Sequence, residues 1–550
     1  MKKIYILLTS VFLFVGCSKE TENEGISNAD LKFTQFDVTL TSGVKSIGVI
    51  DDVNNHISLS GIVDPINIKS VTYKYSDDVS LVTPNPNTRI GKWEITEKFR
   101  LHSSETFEDY TVEISDYEEP TYENQATIAP LETFGTYIKY HMLDLNGDAT
   151  KASNVATANI AFGEKGMNGI RFPLYCGDAY GGHPEEGVVI ESVYERPLIS
   201  LTNAKAAYSG SEPFIIFLGI KVLTSNKDEI YPDWVTTEES DVANPDKYAQ
   251  LIVDFITFMG QKGHTIDAVA IDKETVRMSV DNFKIAVDSL RAKTARLGYV
   301  VPKIVAPELL DPQGDTNNGW MNELYDKGYQ DRYDVFGNHY YQRDHNEEGF
   351  AKYKYEFDLS QKDKTRPAWA TEPHWNGDGD LFSAESALGI MFDHADLGME
   401  AFMWWDYPIS GGSKFRHHVM RAFSDAIHRS TPIRMIDHDG ESTLTQGKLH
   451  TRAYLRGNEV NVFLLNVINP NTAGLVPMSY EDYAIGILDS FKIDGNVTSR
   501  QWRESINDEN TDYDTSIEGE YSVIKPVEDN QLLIDMPTGS VTQLTFKIVQ

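Results

Sequence analysis

The chain changes its hydrophobic rhythm twice. From about Leu31 to Glu119, short segments alternate apolar and polar positions, as in "KFTQFDVTL", "HISLSGIV", "KSVTYKY", "KWEITEKF" and "DYTVEIS", with turn residues between them. A period of two with close turns predicts strands buried on one face, and hence a small β-sandwich over 30–119. After about Glu132, apolar runs alternate instead with amphipathic stretches. The runs are "MNGIRFPLY" (167–175), "PFIIFLGIKV" (213–222), "IDAVAID" (266–272), "PKIVAPE" (302–308), "YDVFGNHYY" (333–341), "RPAWATEP" (366–373) and "GMEAFMWWDY" (398–407). "TFGTYIKYHML" (133–143), taken as the first strand, makes eight. "PDKYAQLIVDFITFMGQKG" and "VDNFKIAVDSLRAKTARLG" space their apolar residues as helices do, and the second ends on a glycine stop. Such alternation predicts a parallel sheet with crossover helices, and eight units fit a (β/α)8 TIM barrel over 120–430. A doubly wound open sheet would alternate too, but would normally carry a Gly-rich phosphate turn after an early strand, and none is convincing here. Past Thr431 the helical period is lost; "TRAYLRG", "EVNVFLLNV", "DSFKIDG", "SRQWRES", "QLLIDMP" and "VTQLTFKIV" predict a C-terminal β-sandwich over 431–550.

The first residues carry two lysines and then an apolar run from Ile4 to Val15. That run is too short to span a bilayer and fits a secretory signal. Its ending, "FVGC", resembles the lipobox of bacterial lipoproteins, which implies a signal segment over 1–17 and a lipid on Cys17. The polar, acidic stretch 18–29 then reads as a flexible tether. The β-sandwich after it resembles the immunoglobulin-like modules that follow the lipid anchor in Bacteroidetes surface proteins, which implies a spacer on the outer face of the outer membrane. The only other cysteine is Cys176, so no disulfide is expected within the mature chain. Acidic residues number 83 against 49 basic ones, for a net charge of −34. Phosphate binding needs a basic face, so this balance excludes a nucleic-acid partner.

In a barrel of parallel strands, chemistry collects at the C-terminal strand ends. Those ends carry Arg171, Lys221, the triplet Asp272-Lys273-Glu274, Glu308, the "NHYY" of 338–341, Glu372 with His374 and Trp375, and Trp404-Trp405-Asp406. Two glutamates, Glu274 after the fourth strand and Glu372 after the seventh, would face each other across a mouth lined with aromatic rings. Glycosidic bond cleavage needs that pair: one carboxyl arrives protonated to release the leaving oxygen, and the other stays ionised to attack the anomeric carbon. Aromatic faces stack on sugar rings. Alternation sends neighbours to opposite faces, so within His339, Tyr340 and Tyr341, and within Trp404 and Trp405, some residues are expected to pack outward. Glu308 is read as a subsite contact, with a plain structural carboxylate as the alternative. "DLNGD" (144–148) begins like a calcium loop but lacks the distal glutamate, and reads as a turn.

These strand ends resemble clan A of the glycoside hydrolases, most nearly family 30, with a secondary likeness to the agarase and porphyranase families. "GMNGIRFPL" is similar to the clan's strand-two segment with a supporting arginine. "PDKYAQLIVDFITFMGQKGHTIDAVAIDKET" is similar to the helix and strand that lead to the acid/base, and "WATEP" to the nucleophile strand. "GNHYY" resembles the sixth strand and "AFMWW" the eighth with its sugar-stacking tryptophan. The likeness spans roughly residues 130 to 550 and rests on the order and spacing of the segments. It implies a retaining glycoside hydrolase with Glu372 as nucleophile, Glu274 as acid/base, and sugar contacts from Arg171, Lys273, Glu308, His339, Tyr340, Tyr341, His374, Trp375, Trp404 and Trp405. It also implies a polysaccharide or oligosaccharide substrate, no metal or organic cofactor, and a place in a surface glycan-uptake complex.

One residue departs from that pattern. The clan places an asparagine before the acid/base, and here stands Lys273. An ammonium beside Glu274 favours its carboxylate form, against the need for a proton-bearing acid. Three accounts stay open: Lys273 meets an anionic substituent such as a sulfate on a marine galactan, or it pairs with Asp272 or Glu308, or the barrel binds surface glycans without cleaving them.

Overall fold

The computed structural model describes residues 30–550 apart from 63–64, 91–92, 104–105, 117–124, 134, 146–148, 178–179, 222–230, 238–239, 272–277, 310–318, 340–346, 374–379, 406, 408, 410–413, 438–448, 467–478, 489–490, 505–514 and 528–529. The expectations for Cys17, Lys273, Glu274, Tyr340, Tyr341, His374 and Trp375 fall outside the described residues.

Alternating residues give the N-terminal module two antiparallel-rich sheets. A three-stranded sheet (Lys45–Ile47, Phe33–Leu40, Ile68–Tyr75) faces a five-stranded one (Val49–Asp51, His56–Leu59, Phe107–Ile114, Thr96–His102, Leu81–Thr83). Inward-pointing Phe33, Phe36, Trp93 and Phe99 fill the space between them. Every strand quoted from this region in the sequence is present.

The eight central strands close in chain order into a parallel barrel: Tyr140–Asp144, Gly169–Tyr175, Ile215–Lys221, Ala268–Ala270, Lys303–Leu309, Val335–Asn338, Ala368–Ala370 and Met399–Trp404. Helices follow the strands and pack outside. The third crossover helix, Pro245–Gln261, starts where Asn244 accepts hydrogen bonds from the free N–H groups of Asp246 and Lys247, with Pro245 in the first turn. Ser279 caps Val280–Arg296 in the same way.

Strand residues divide by parity. Ile170, Phe172, Leu218, Ile220, Ile304, Phe336 and Phe402 face the helices. Tyr140, Met142, Phe217, Val305, Val335, Trp369 and Met403 fill the lumen. The barrel centre is thus a packed plug, and a polar layer lies beyond it toward the C-terminal strand ends.

The C-terminal part is a nine-stranded sheet in the order Glu520–Ile524, Lys492–Arg503, Ser540–Val549, Glu459–Asn466, His450–Arg456, Thr431–Asp437, Ala126–Thr133, Tyr480–Ile487, Gln531–Met536. One core holds Val497 and Leu544 from one end of the sheet with Ile485 and Ile534 from the other, so the sheet folds over itself as a sandwich. Two boundaries differ from the sequence reading. Ala126–Thr133, assigned above to the barrel segment, pairs with Thr431–Asp437 and Tyr480–Ile487 and so belongs to the sandwich. Its five consecutive buried residues, Ala126 to Pro130, read as a barrel strand because a central sheet strand carries the same apolar run. The two segments "DSFKIDG" and "SRQWRES" form one strand, interrupted by a register shift between Asp494 and Thr498, where Gly495 adopts φ +84°. The sandwich rests on the last two barrel helices, where Phe423 meets the rings of Phe463 at 5.2 Å and Tyr454 at 5.8 Å.

Candidate active site

Five polar side chains from five strands meet on the floor of the barrel mouth. Period two carries Asp144 inward beyond Met142 on the first strand, Arg171 beyond Gly169 on the second, and His339 beyond Val335 and Gly337 on the sixth. Asp144 and Arg171 are register partners on adjacent strands. Arg171 Nη1 donates to Asp144 Oδ2 at 2.9 Å and to Glu372 Oε2, and its Nη2 donates to Glu308 Oε2 at 3.3 Å. His339 Nε2 lies 3.0 Å from Glu308 Oε2, 3.3 Å from Arg171 Nη2 and 3.5 Å from Glu372 Oε2. None of these five residues exposes more than 1% of its surface.

Glu308 and Glu372 reach this floor against the strand parity. Ile304 and Ala306 face outward, so an extended Glu308 would follow them into the helix layer. Instead Glu308 takes φ +53°, at a register shift between Pro307 and Leu309. A left-handed backbone costs a non-glycine residue about 1–2 kcal/mol. It also turns the carboxyl inward over Gly337, where an added Cβ would sit 2.8 Å from Glu308 Oε1 and 2.2 Å from Val305 Cγ1. Glu308, read above as a subsite contact, is therefore fully buried beneath the mouth and paired with Arg171 and His339. On the seventh strand, Ala368 and Ala370 face outward, the strand ends at Ala370, and the bend at Thr371 and Glu372 brings the carboxyl in.

The electrostatics follow from burial and crowding. Burial pushes the Asp144 carboxyl up and the nearby Glu372 charge adds to this, while Arg171 pulls the other way; the net direction is upward. Burial alone would lower the Arg171 guanidinium, but Glu372, Asp144 and Glu308 outweigh it and hold it well above its ordinary range. A permanently cationic fork touching several carboxylates is the arrangement that keeps one of them ionised and fixed in direction.

The eighth strand separates its two tryptophans. Trp404 is buried outside the lumen, its ring stacked 6.1 Å from Phe402. Trp405, half-buried, faces the mouth: Lys221 Nζ lies 5.1 Å from its ring centroid and Lys151 donates to its carbonyl. Of the expected residues, the structure thus brings together Arg171, Glu308, His339 and Glu372, and sets Trp404 apart from them. Asp144 was missed in the sequence. It was read as the start of a turn because the first strand was ended at Leu143; extending the alternation of Tyr140 and Met142 by one step would have found it.

No known family profile matches the chain, and no characterised protein matches it by sequence. Solved structures do match in fold. A family 30 endoxylanase from Clostridium papyrosolvens C71 aligns with TM-score 0.52 and 15% identity, over 77% of this chain and 99% of that one. A family 30 subfamily 8 xylanase from Clostridium acetobutylicum gives TM-score 0.51 and 15% identity over the same shares. Xylanase C of family 30 from Talaromyces cellulolyticus gives 0.50 and 13%, again over 77% and 99%. The chain shares the fold of these family 30 xylanases, here a closed eight-stranded parallel barrel with an attached β-sandwich.

Proposed function

We propose that the chain is a glycoside hydrolase that cleaves a polysaccharide with retention of configuration, Glu372 acting as nucleophile and Glu274 as acid/base. The observation that carries this reading is the grip of Arg171 on Glu372 at the end of the seventh strand, with His339 beside it. A carboxylate so held keeps its negative charge and points one oxygen at a fixed place. In the first step the Glu372 carboxylate attacks the anomeric carbon while Glu274 gives its proton to the departing oxygen. In the second, Glu274 takes a proton from water, which displaces Glu372 from the sugar. Retention needs the two carboxyls ~5–5.5 Å apart, a separation that the fourth and seventh strands of one barrel can supply. Trp405 would stack on the sugar.

The substrate we favour carries anionic groups, as a sulfated galactan does. Lys273 next to the acid/base and Lys221 at the mouth supply cations for them. The place of action would be the outer face of the outer membrane, with Cys17 lipidated and the N-terminal sandwich as spacer, and the partner a glycan-uptake complex. A second reading, a surface protein that binds glycans without cleaving them, draws on Lys273, which disfavours a protonated Glu274.

A panel of neutral and sulfated glycans, assayed for both binding and new reducing ends, separates the two. Cleavage that falls about 10³-fold or more in Glu372→Gln supports hydrolysis, since an amide cannot replace a carboxylate nucleophile. Binding without any reducing ends supports the second reading. Lys273→Asn should weaken sulfated ligands alone, and equal affinity for both ligand classes would remove the anionic preference.

A further inference from the structure

The N-terminal module does not stand clear of the barrel. Its edge strand Leu81–Thr83 divides its side chains: Val82 points into the module's own core, whereas Leu81, 7% exposed, joins the core formed by the barrel and its helices. The surface it meets is the helix Glu347–Ser360, which follows the sixth barrel strand. Helical spacing gives that helix two faces. Tyr353, Glu356 and Phe357 look toward the strand: the rings of Tyr353 and Phe357 lie 6.1 and 5.8 Å from that of Phe336, and Asn338 Nδ2 donates to Glu356 Oε2 at 3.4 Å. Lys354, Tyr355 and Asp358 look toward the module. Tyr355 meets the His102 ring edge-on at 5.1 Å, and just past the helix Lys362 Nζ donates to the Ser80 carbonyl at 3.1 Å. Lys354 Nζ and Asp358 Oδ2 pair at 2.6 Å, with only 1% of the Asp358 side chain exposed. Arg89 and Glu97 of the module pair at 3.0 Å and act on them: Arg89 feels the charge of Asp358, and Lys354 feels those of Arg89 and Glu97. Glu94 beside them feels Arg452 and Arg434 of the C-terminal sandwich.

We infer that the N-terminal module is a fixed brace of the barrel, clamped on the helix behind the sixth strand and so holding in place the strand end that carries His339. This goes beyond the role of a spacer. A module that only keeps the barrel at a distance has no need to bury side chains against it, and its edge strands stay polar or charged against chance pairing. Here the edge strand is covered by the helix, a leucine is buried across the junction, and ion pairs from both sides share one dehydrated patch, where each charge depends on the others staying in place. From the module to the site the packing is continuous. Leu81 and His102 press on the helix, the helix presses on Phe336 and holds Asn338, and His339 is the next residue, with Nε2 3.5 Å from Glu372 Oε2. A close-packed interior passes a displacement on rather than absorbing it.

Amide hydrogen exchange of the full chain, read by peptide, tests this without any substrate, so its outcome is separate from that of the hydrolase reading. Leu81→Asp puts a charge into the junction. Exchange in the sixth strand, Val335–Asn338, and in residues 353–360 of the helix should speed up at least about tenfold more than in the second strand, Gly169–Tyr175. Val49→Asp, on the opposite edge of the same module sheet at a position already 69% exposed, should leave the sixth strand unchanged. A speed-up confined to the module, or one of equal size in the second and sixth strands, overturns the proposal. If Leu81→Asp does not fold, exchange of the wild type in rising urea decides. The module strand Thr96–His102 and the helix should lose protection in one step, and a module that opens at lower urea while the helix stays protected overturns the brace.

Discussion

Two successive layers inside the barrel are held by opposite physics. The lower layer, with Met142, Phe217, Val335 and Trp369, is apolar and gains stability from area removed from water. The upper layer, with Asp144, Arg171, Glu308, His339 and Glu372, is as deeply buried, but each member is stable only while its partners are present. An ion taken out of water loses several kcal/mol even after relaxation, and only well-placed opposite charges offset that. The lower layer can absorb changes of side chain at constant volume, whereas the upper layer cannot lose one charge without exposing the others to each other.

Truncations in the two layers should therefore differ in their pH dependence more than in their size. Arg171→Met strands three carboxylates and should destabilise by about 3–5 kcal/mol near neutral pH. Trp369→Ala leaves a cavity in the plug and should destabilise by about 3–5 kcal/mol as well. In urea unfolding the first loss should shrink as the carboxyls protonate toward pH 4, and the second should stay level. Two level profiles would erase the distinction between the layers. A smaller effect is expected at their boundary. The added methyl of Gly337→Ala would press on both Val305 below and Glu308 above, and should destabilise by about 1–3 kcal/mol while displacing the Glu308 carboxyl. An unchanged melting temperature would mean that the layers yield independently.

The smallest expected effect is at Asp144. Its folded pKa is raised by burial, so its contribution to stability is greatest below the unfolded value and declines as pH rises through the folded one. Asp144→Asn has no such decline. The stability of the wild type relative to the variant should fall between about pH 4 and neutrality. A gap that widens with pH would show that Arg171 outweighs burial at this carboxyl.

The sequence carried the barrel because eight apolar runs separated by helical stretches allow few other arrangements; six strands lie within the segments read from it, and the first and fifth overrun theirs by one residue. It carried Arg171, His339 and Trp405 as well, since period two places them on the lumen face beyond Gly169, Val335 and Met403. Asp144 was equally legible, one step past the end assigned to its strand. Ala126–Thr133 was not, because an apolar run of that length does not state which of two sheets will bury it.

Glu308 and Glu372 mark the limit of local reading. Their place after the fifth and seventh strands follows from counting, but parity would turn both away from the lumen. A left-handed backbone at Glu308, the space over Gly337 and the bend after Ala370 bring them onto Arg171. Sequence by itself determined which residue types stand at the strand ends, because hydrophobic period and strand order are local properties of the chain. Only the tertiary structure decided that three carboxyls share one guanidinium, because those contacts join residues up to 201 positions apart and depend on the closure of the barrel.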